Sequence, residues 1–263
     1  MQVLDTSTKS LEELGFASST RKSFQPRHRQ IAEMFATICW FHELRIHLDS
    51  STTVEVQRAV ESTIADNALG TARRWRDYGK GFHSPRGRVI EMSRKICPDA
   101  VDVFLSPLWD TLRLNRPIEP VAQAHVGTTS KLGDELLTRM ATLDGKAHLD
   151  PRWLRKRCLD MVRLGTLEGL GVLLICMRLA GARGENGLTV TFYRYAGHCM
   201  NILGGWFFAH GIASSLGEYF ETIMLPACSG TPWLGNFMAE YYISRILCIG
   251  ELLQKATALR DAS

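Results

Sequence analysis

The nine residues GLGVLLICM, 169 to 177, carry no polar side chain and stand between Glu168 and Arg178. Such a run must satisfy its backbone away from water, either as a membrane span or as a helix inside a protein core. A span needs about 18 to 20 uninterrupted apolar residues, and this run is too short. The second apolar stretch, CMNILGGWFFAHGIA at 199 to 213, is interrupted by Asn201 and His210. Both are therefore expected to form buried core helices, with no membrane partner.

Burying such helices requires enough chain to surround them. At 263 residues, 45% apolar and 22% charged, the composition is that of an ordinary globular protein that needs no covalent bracing. Cys39, Cys97, Cys158, Cys176, Cys199, Cys228 and Cys248 are scattered, odd in number and never spaced C-x-x-C. They read as reduced core residues, with no metal or cofactor implied. MQVLDTSTKS has no basic stretch followed by an apolar one, so no secretory signal is read and a cytoplasmic protein is expected.

Periodicity supplies the architecture. Residues 1–26, rich in Ser, Thr and Lys, read as a loose arm that orders against a partner. Ile31, Met34, Phe35, Ile38 and Phe41 recur at spacings of three and four, predicting a helix to about Leu48 that Ser50, Ser51 and Thr52 break. Val56, Val60 and Ile64 continue a stripe that Gly70 interrupts. Ser106-Pro107 and Asp150-Pro151 are helix starts, because the cap accepts from free amides while Pro sacrifices no intrahelical donor. NRPIEP at 115 to 120 reads as a linker dividing an N-terminal domain, 27–120, from a C-terminal bundle, 121–263.

In that bundle Leu132, Leu136, Met140 and Leu143 form one stripe, and Trp153, Leu154, Cys158, Met161 and Val162 another ending at Gly165. Further helices are expected at about 166 to 180, 189 to 213 and 215 to 225. A last one, from Pro232 to about Leu259, would bury Phe237, Tyr241, Ile246, Leu252, Leu253 and Leu259. Only LTVTF at 188 to 192 alternates like a strand, and it is short enough to be a helix entry. The fold class expected is all-α, a multi-helix globular protein without internal repeats.

Function is concentrated in RRWRDYGKGFHSP, 73 to 85. Between Arg73 and Lys95 eight Lys or Arg face only Asp77 and Glu91, while the whole chain carries a net charge of +4. The excess positive charge is thus local. Such a field attracts phosphate by counterion release, and neighbouring aromatic rings either stack on bases or pack inward. The alternative is a solvated helix face with Trp75 and Tyr78 in the core.

Trp75, Tyr78, Gly81 and Pro85 stand at W-x-x-Y-x-x-G-x-x-x-P, preceded by Ile64-Ala65 and Leu69-Gly70. Over about residues 56 to 96 this pattern resembles the second half of an XRE-type helix-turn-helix. The resemblance implies a supporting helix carrying Ile64-Ala65, a turn at Gly70, and a groove-facing helix bearing Thr71, Ala72, Arg73, Arg74 and Arg76 with Trp75 as its anchor. Gly70 stands one residue late relative to Ala65, and Val60 occupies the usual capping Ser or Thr position. Together with SPLWDTL at 106 to 112 and LGTLEGLGVLL at 164 to 174, the layout also resembles helical proteins of Gram-negative bacteria to which no activity attaches.

PRWLRKRCLDMVR, 151 to 163, holds a second basic cluster, in which Arg152, Arg155 and Lys156 share one side of a helix. The nucleic-acid-binding residues expected are accordingly Arg73, Arg74, Arg76, Lys80, Arg86, Arg88, Arg152, Arg155 and Lys156. The partner is DNA in preference to RNA, with a homo-oligomer or protein partner also expected. A helical interaction scaffold or obligate oligomer that binds no nucleic acid is the alternative.

Enzymatic signals are sparse. His42 and His47 in HELRIH are five apart, about 140° around a helix, so one metal cannot take both from one face. His47 reads as a surface residue at a helix C-terminus. His198 and His210, with Glu218 and Glu221, are the residues from which a dispersed acid–base site would be built. No phosphate-loop, nucleophile-elbow or dinucleotide motif is present, so no catalytic residue is assigned.

Overall fold

The computed structural model describes residues 28–62, 72–142 and 149–229, whose regular elements are all helices, with no strand among them. In chain order the elements are α1 (His28–His47), α2 (Thr53–Glu61), α3 (Ala72–Gly79), α4 (Gly87–Ile96), α5 (Pro98–Phe104), α6 (Pro107–Thr111) and α7 (Ile118–His125). Then come α8 (Lys131–Thr142), α9 (Pro151–Leu164), α10 (Leu167–Ala182), α11 (Asn186–Ala209) and α12 (Ala213–Tyr219), a π-helical turn (Phe220–Met224) and α13 (Leu225–Ser229).

GLGVLLICM lies in α10, which is buried on every side from Gly169 to Ala180, as a helix apolar around its circumference must be. Thr166 caps it, its hydroxyl accepting from the amide of Gly169 at 3.1 Å. Helices α6, α7, α8, α9, α11 and α13 pack around it. Gly171 permits the approach of α6, since a Cβ there would lie 2.7 Å from the backbone nitrogen of Leu108.

Arg178, 7% exposed, ends the apolar run, with no carboxylate paired to it among the described residues. Its guanidinium donates to the carbonyls of Thr111 and Arg116, both at 2.8 Å, and the Tyr219 hydroxyl donates to Leu112 O at 2.6 Å. These carbonyls lie at and beyond the C-terminal end of α6, where a cation suits the helix dipole.

Two cores share α1. Ile31 to Cys39 join the larger one around α10, whereas Trp40, Phe41 and Leu44 join a smaller one with Val56, Val60, Trp75, Tyr78, Val89, Met92, Cys97 and Ala100. The boundary expected near residue 120 is therefore not where the cores divide, because Leu108, Trp109 and Leu112 pack with α10. Nor is NRPIEP a linker. Pro117 is the N-cap of α7, Ile118 is buried, and Pro120 sits in the first turn, where its missing amide costs no hydrogen bond. LTVTF is likewise helical, lying within the first turns of α11.

Cys39, Cys97, Cys158, Cys176 and Cys199 are free and buried, and Cys228 is half-buried. Burial pushes the thiols of Cys158 and Cys199 up to about 12, which makes them inert packing groups. No helix among the described residues is long and apolar enough to cross a membrane. The arm, Ile64, Gly70, Leu143, Cys248 and the expected helix from Pro232 to Leu259 lie outside the described residues.

Candidate nucleic-acid interface

The surface begins with α3, whose two aromatic residues, three apart, both turn inward. Trp75 stacks on Trp40 of α1 at 6.1 Å between centroids and 27° between planes, and Tyr78 meets both rings edge-on at 5.5 Å. The Trp75 indole donates to Glu61 Oε1 at 3.2 Å, fastening α3 to the end of α2. Of the two roles open to these rings, packing is the one they take. The cations around them are thereby held on a fixed base.

The end of α3 is equally determined. Gly81 has φ 72°, its amide donates to Tyr78 O and that of Phe82 to Asp77 O, both at 2.9 Å. This is a Schellman termination, in which a left-handed glycine closes the helix and redirects the chain. A Cβ at Gly81 would overlap the side chain of Met34 on α1. Pro85 is buried, Arg86 occupies the N-cap of α4, and α4 buries Val89, Met92 and Ser93.

Arg73, Arg74, Arg76, Lys80, Arg86 and Arg88 are all exposed, as are Arg94 and Lys95. Among the described residues none of them is ion-paired; the nearby carboxylate of Asp77 faces His83 at 3.7 Å instead. At about 100° per residue, Arg73 points directly away from the buried side of α3, with Arg74 and Arg76 on opposite flanks. Both Arg74 and Arg86 act on Tyr78: burial raises the pKa of its hydroxyl, and these two cations pull it back. The cations of α3 and of the α4 entrance thus act on one buried ring, while Arg73 points outward.

Helix ends reinforce this field. Neither α3 nor α4 carries an acid in its first turn. They place Arg73, Arg74, Arg86 and Arg88 there instead. Cations at the positive end of a helix add to its dipole rather than cancelling it. The surface is consequently more positive than its formal charges alone.

The second expected cluster is exposed as well. Arg152, Arg155, Lys156, Leu159 and Arg163 line a shallow depression of about 280 Å³ along α9. Arg157 turns inward to Glu135 at 2.9 Å and Asp160 at 3.6 Å, and Arg163 lies 3.6 Å from Asp160. Helix α9 packs on α8, α10 and α11, whereas α3 and α4 pack on α1, α2 and α5. The two clusters thus belong to different cores.

The residues from which an acid–base site would be built are not brought together by the fold. His210, 1% exposed, pairs with Glu43 of α1 through Nε2 at 2.7 Å rather than with Glu218 or Glu221. Its Nδ1 faces Trp206 O at 2.7 Å, and its ring stacks on Trp206 at 3.7 Å. Both ring nitrogens are thereby engaged. The hydrogen bond from His210 holds Glu43 below the usual carboxylate range against the opposing effect of burial. His42 lies alongside, pushed down to about 3 by burial and by His210 and Arg45, and is a neutral imidazole.

His198 is exposed on α11, and His47 is exposed at the end of α1. Glu221 is buried at 4% exposure in the π-helical turn, and burial pushes its carboxyl up to about 8. No group of three or more potential metal ligands occurs among the described residues.

Comparison with family models, curated proteins and solved structures finds no match to this chain. Of the helix-turn-helix pattern, α2 ends at Glu61 with Ser62 as its C-cap, and Ile64-Ala65, Leu69-Gly70 and Thr71 lie outside the described residues. Sequence reasoning passed over Phe82, which is 61% exposed in the midst of the cations. The available signal was its position immediately after the closing glycine of α3.

Proposed function

We propose that this protein binds nucleic acid, DNA in preference to RNA, through α3, α4 and the turn between them. The observation that carries the reading is a set of six exposed cations, Arg73, Arg74, Arg76, Lys80, Arg86 and Arg88, without an internal ion pair among the described residues. Arg73, Arg74, Arg86 and Arg88 sit at the positive ends of α3 and α4, and the aromatic anchors of α3, Trp75 and Tyr78, are buried. The mechanism is phosphate neutralisation, with α3 as the element that meets the groove in the helix-turn-helix reading. Arg152, Arg155 and Lys156 supply a separate phosphate-binding surface on α9.

Titration by gel shift at several salt concentrations is the direct test. Six phosphate contacts on duplex DNA give a slope of log Kobs against log salt of about −5. Reversing Arg74 and Arg76 together to Glu is expected to lower affinity at least about tenfold and flatten the slope. The far-ultraviolet circular dichroism should be unchanged, because both side chains are exposed. Absence of binding at low salt by folded protein would end the proposal.

A further inference from the structure

Among the described residues Phe82 is the most exposed large hydrophobic side chain, at 61%. A single exposed apolar residue is ordinarily unremarkable, but this one is held in place. Its amide is bonded to Asp77 O at 2.9 Å, the preceding Gly81 is locked in the left-handed region against Met34, and Pro85 behind it is buried. In a Schellman termination the residue after the glycine commonly packs back on the last turn of its helix. Phe82 does not; its ring stands in solvent.

The surroundings select the partner. Lys80, His83 and Arg86, all within four residues of Phe82, are exposed, and both Arg74 and Arg86 act on the hydroxyl of Tyr78, whose carbonyl accepts from Gly81. An apolar protein surface docking on Phe82 would desolvate these cations without neutralising them. A nucleotide strand presents a flat apolar base to the ring and a phosphate to each side. Stacking platforms flanked by cations are how single strands are held without sequence preference.

We propose that Phe82 is a base-stacking side chain and that the α3–α4 surface takes single-stranded nucleic acid. The inference rests on the nucleic-acid reading above and adds strands with unpaired bases to what the same cations hold. Because Trp75 and Tyr78 are committed to the core, Phe82 is the ring that this turn offers to a base.

Fluorescence anisotropy with a labelled oligothymidylate of about twenty nucleotides, and with a duplex of the same length, tests it on the full chain. Phe82→Ala is expected to weaken single-strand binding about tenfold, to change duplex binding less than about twofold, and to leave the salt slope intact because no charge is lost. Phe82→Trp should retain single-strand affinity. Unchanged single-strand affinity in Phe82→Ala overturns the stacking role while leaving phosphate binding in place. So does an equal loss on both probes. Self-association that Phe82→Ala abolishes, with oligonucleotide binding unaltered, assigns the ring to a protein contact and likewise overturns it. Wild-type protein that binds neither probe overturns both this inference and the reading beneath it.

Discussion

Alanine at position 81 would have to hold a φ of 72° and set its Cβ into the side chain of Met34. Left-handed strain and overpacking each cost on the order of 1 to 2 kcal/mol. Gly81→Ala is therefore expected to lower stability by about 2 to 4 kcal/mol in chemical denaturation. Asp49, which ends α1 at φ 47°, is the opposite case. Glycine there removes strain without a neighbour to displace, and a gain of about 0.5 to 1 kcal/mol is expected.

Glu221 should show itself in the pH dependence of stability. Burial raises its carboxyl to about 8, above the unfolded value, so the folded state holds the proton more tightly. The stability this provides is complete below about pH 4 and is lost as pH rises towards about 8. Glu221→Gln, which keeps the shape without the charge, is expected to melt above the wild type at pH 8. The difference should close near pH 4, and a constant offset across that range would contradict the assignment.

Helices α1 and α11 are joined by the His210–Glu43 bond of 2.7 Å, buried beneath Trp206. Removing one partner leaves the other with an uncompensated polar group, which costs more than the bond's net contribution. His210→Ala is expected to cost about 2 to 3 kcal/mol, part of it lost stacking on Trp206. In a double-mutant cycle Glu43→Gln should couple to it by more than about 0.5 kcal/mol. Additive effects would show that the pair does not act as a clamp. The same geometry explains why these groups are poor candidates for acid–base chemistry: the imidazole has its two nitrogens engaged and almost no surface exposed.

Across the whole molecule, α1 ties two cores together, giving Ile31 to Cys39 to one and Trp40 to Leu44 to the other. Neither core is complete without it. Unfolding by urea is accordingly expected to be a single transition, with tryptophan fluorescence and helical circular dichroism superimposing. Trp40 and Trp75 report the smaller core and Trp109 the larger, so separate midpoints would show that the cores unfold independently. The arrangement also mounts the basic surface on the smaller core, away from the packing around α10.

Much of the helical layout was readable from local chemistry. Asp150-Pro151, Ser106-Pro107 and the i, i+3, i+4 stripes of α1, α8 and α9 each express a constraint contained within a few consecutive residues. The accessibility of the cations was readable for the same reason, since Lys and Arg without partners stay in water. Contacts between distant segments were not. Trp40 on Trp75, Glu43 on His210 and Arg178 on the end of α6 join positions whose separation along the chain carries no periodic signal. NRPIEP was misread because proline starts a helix and breaks one with the same residue, and the burial of Ile118 decides between them. Local spacing dictated which stretches coil and which faces shun water, because those preferences act over one or two helical turns. Which ring remained in solvent was settled by packing alone: Trp75 and Tyr78 found partners on α1, whereas Phe82 stays 61% exposed.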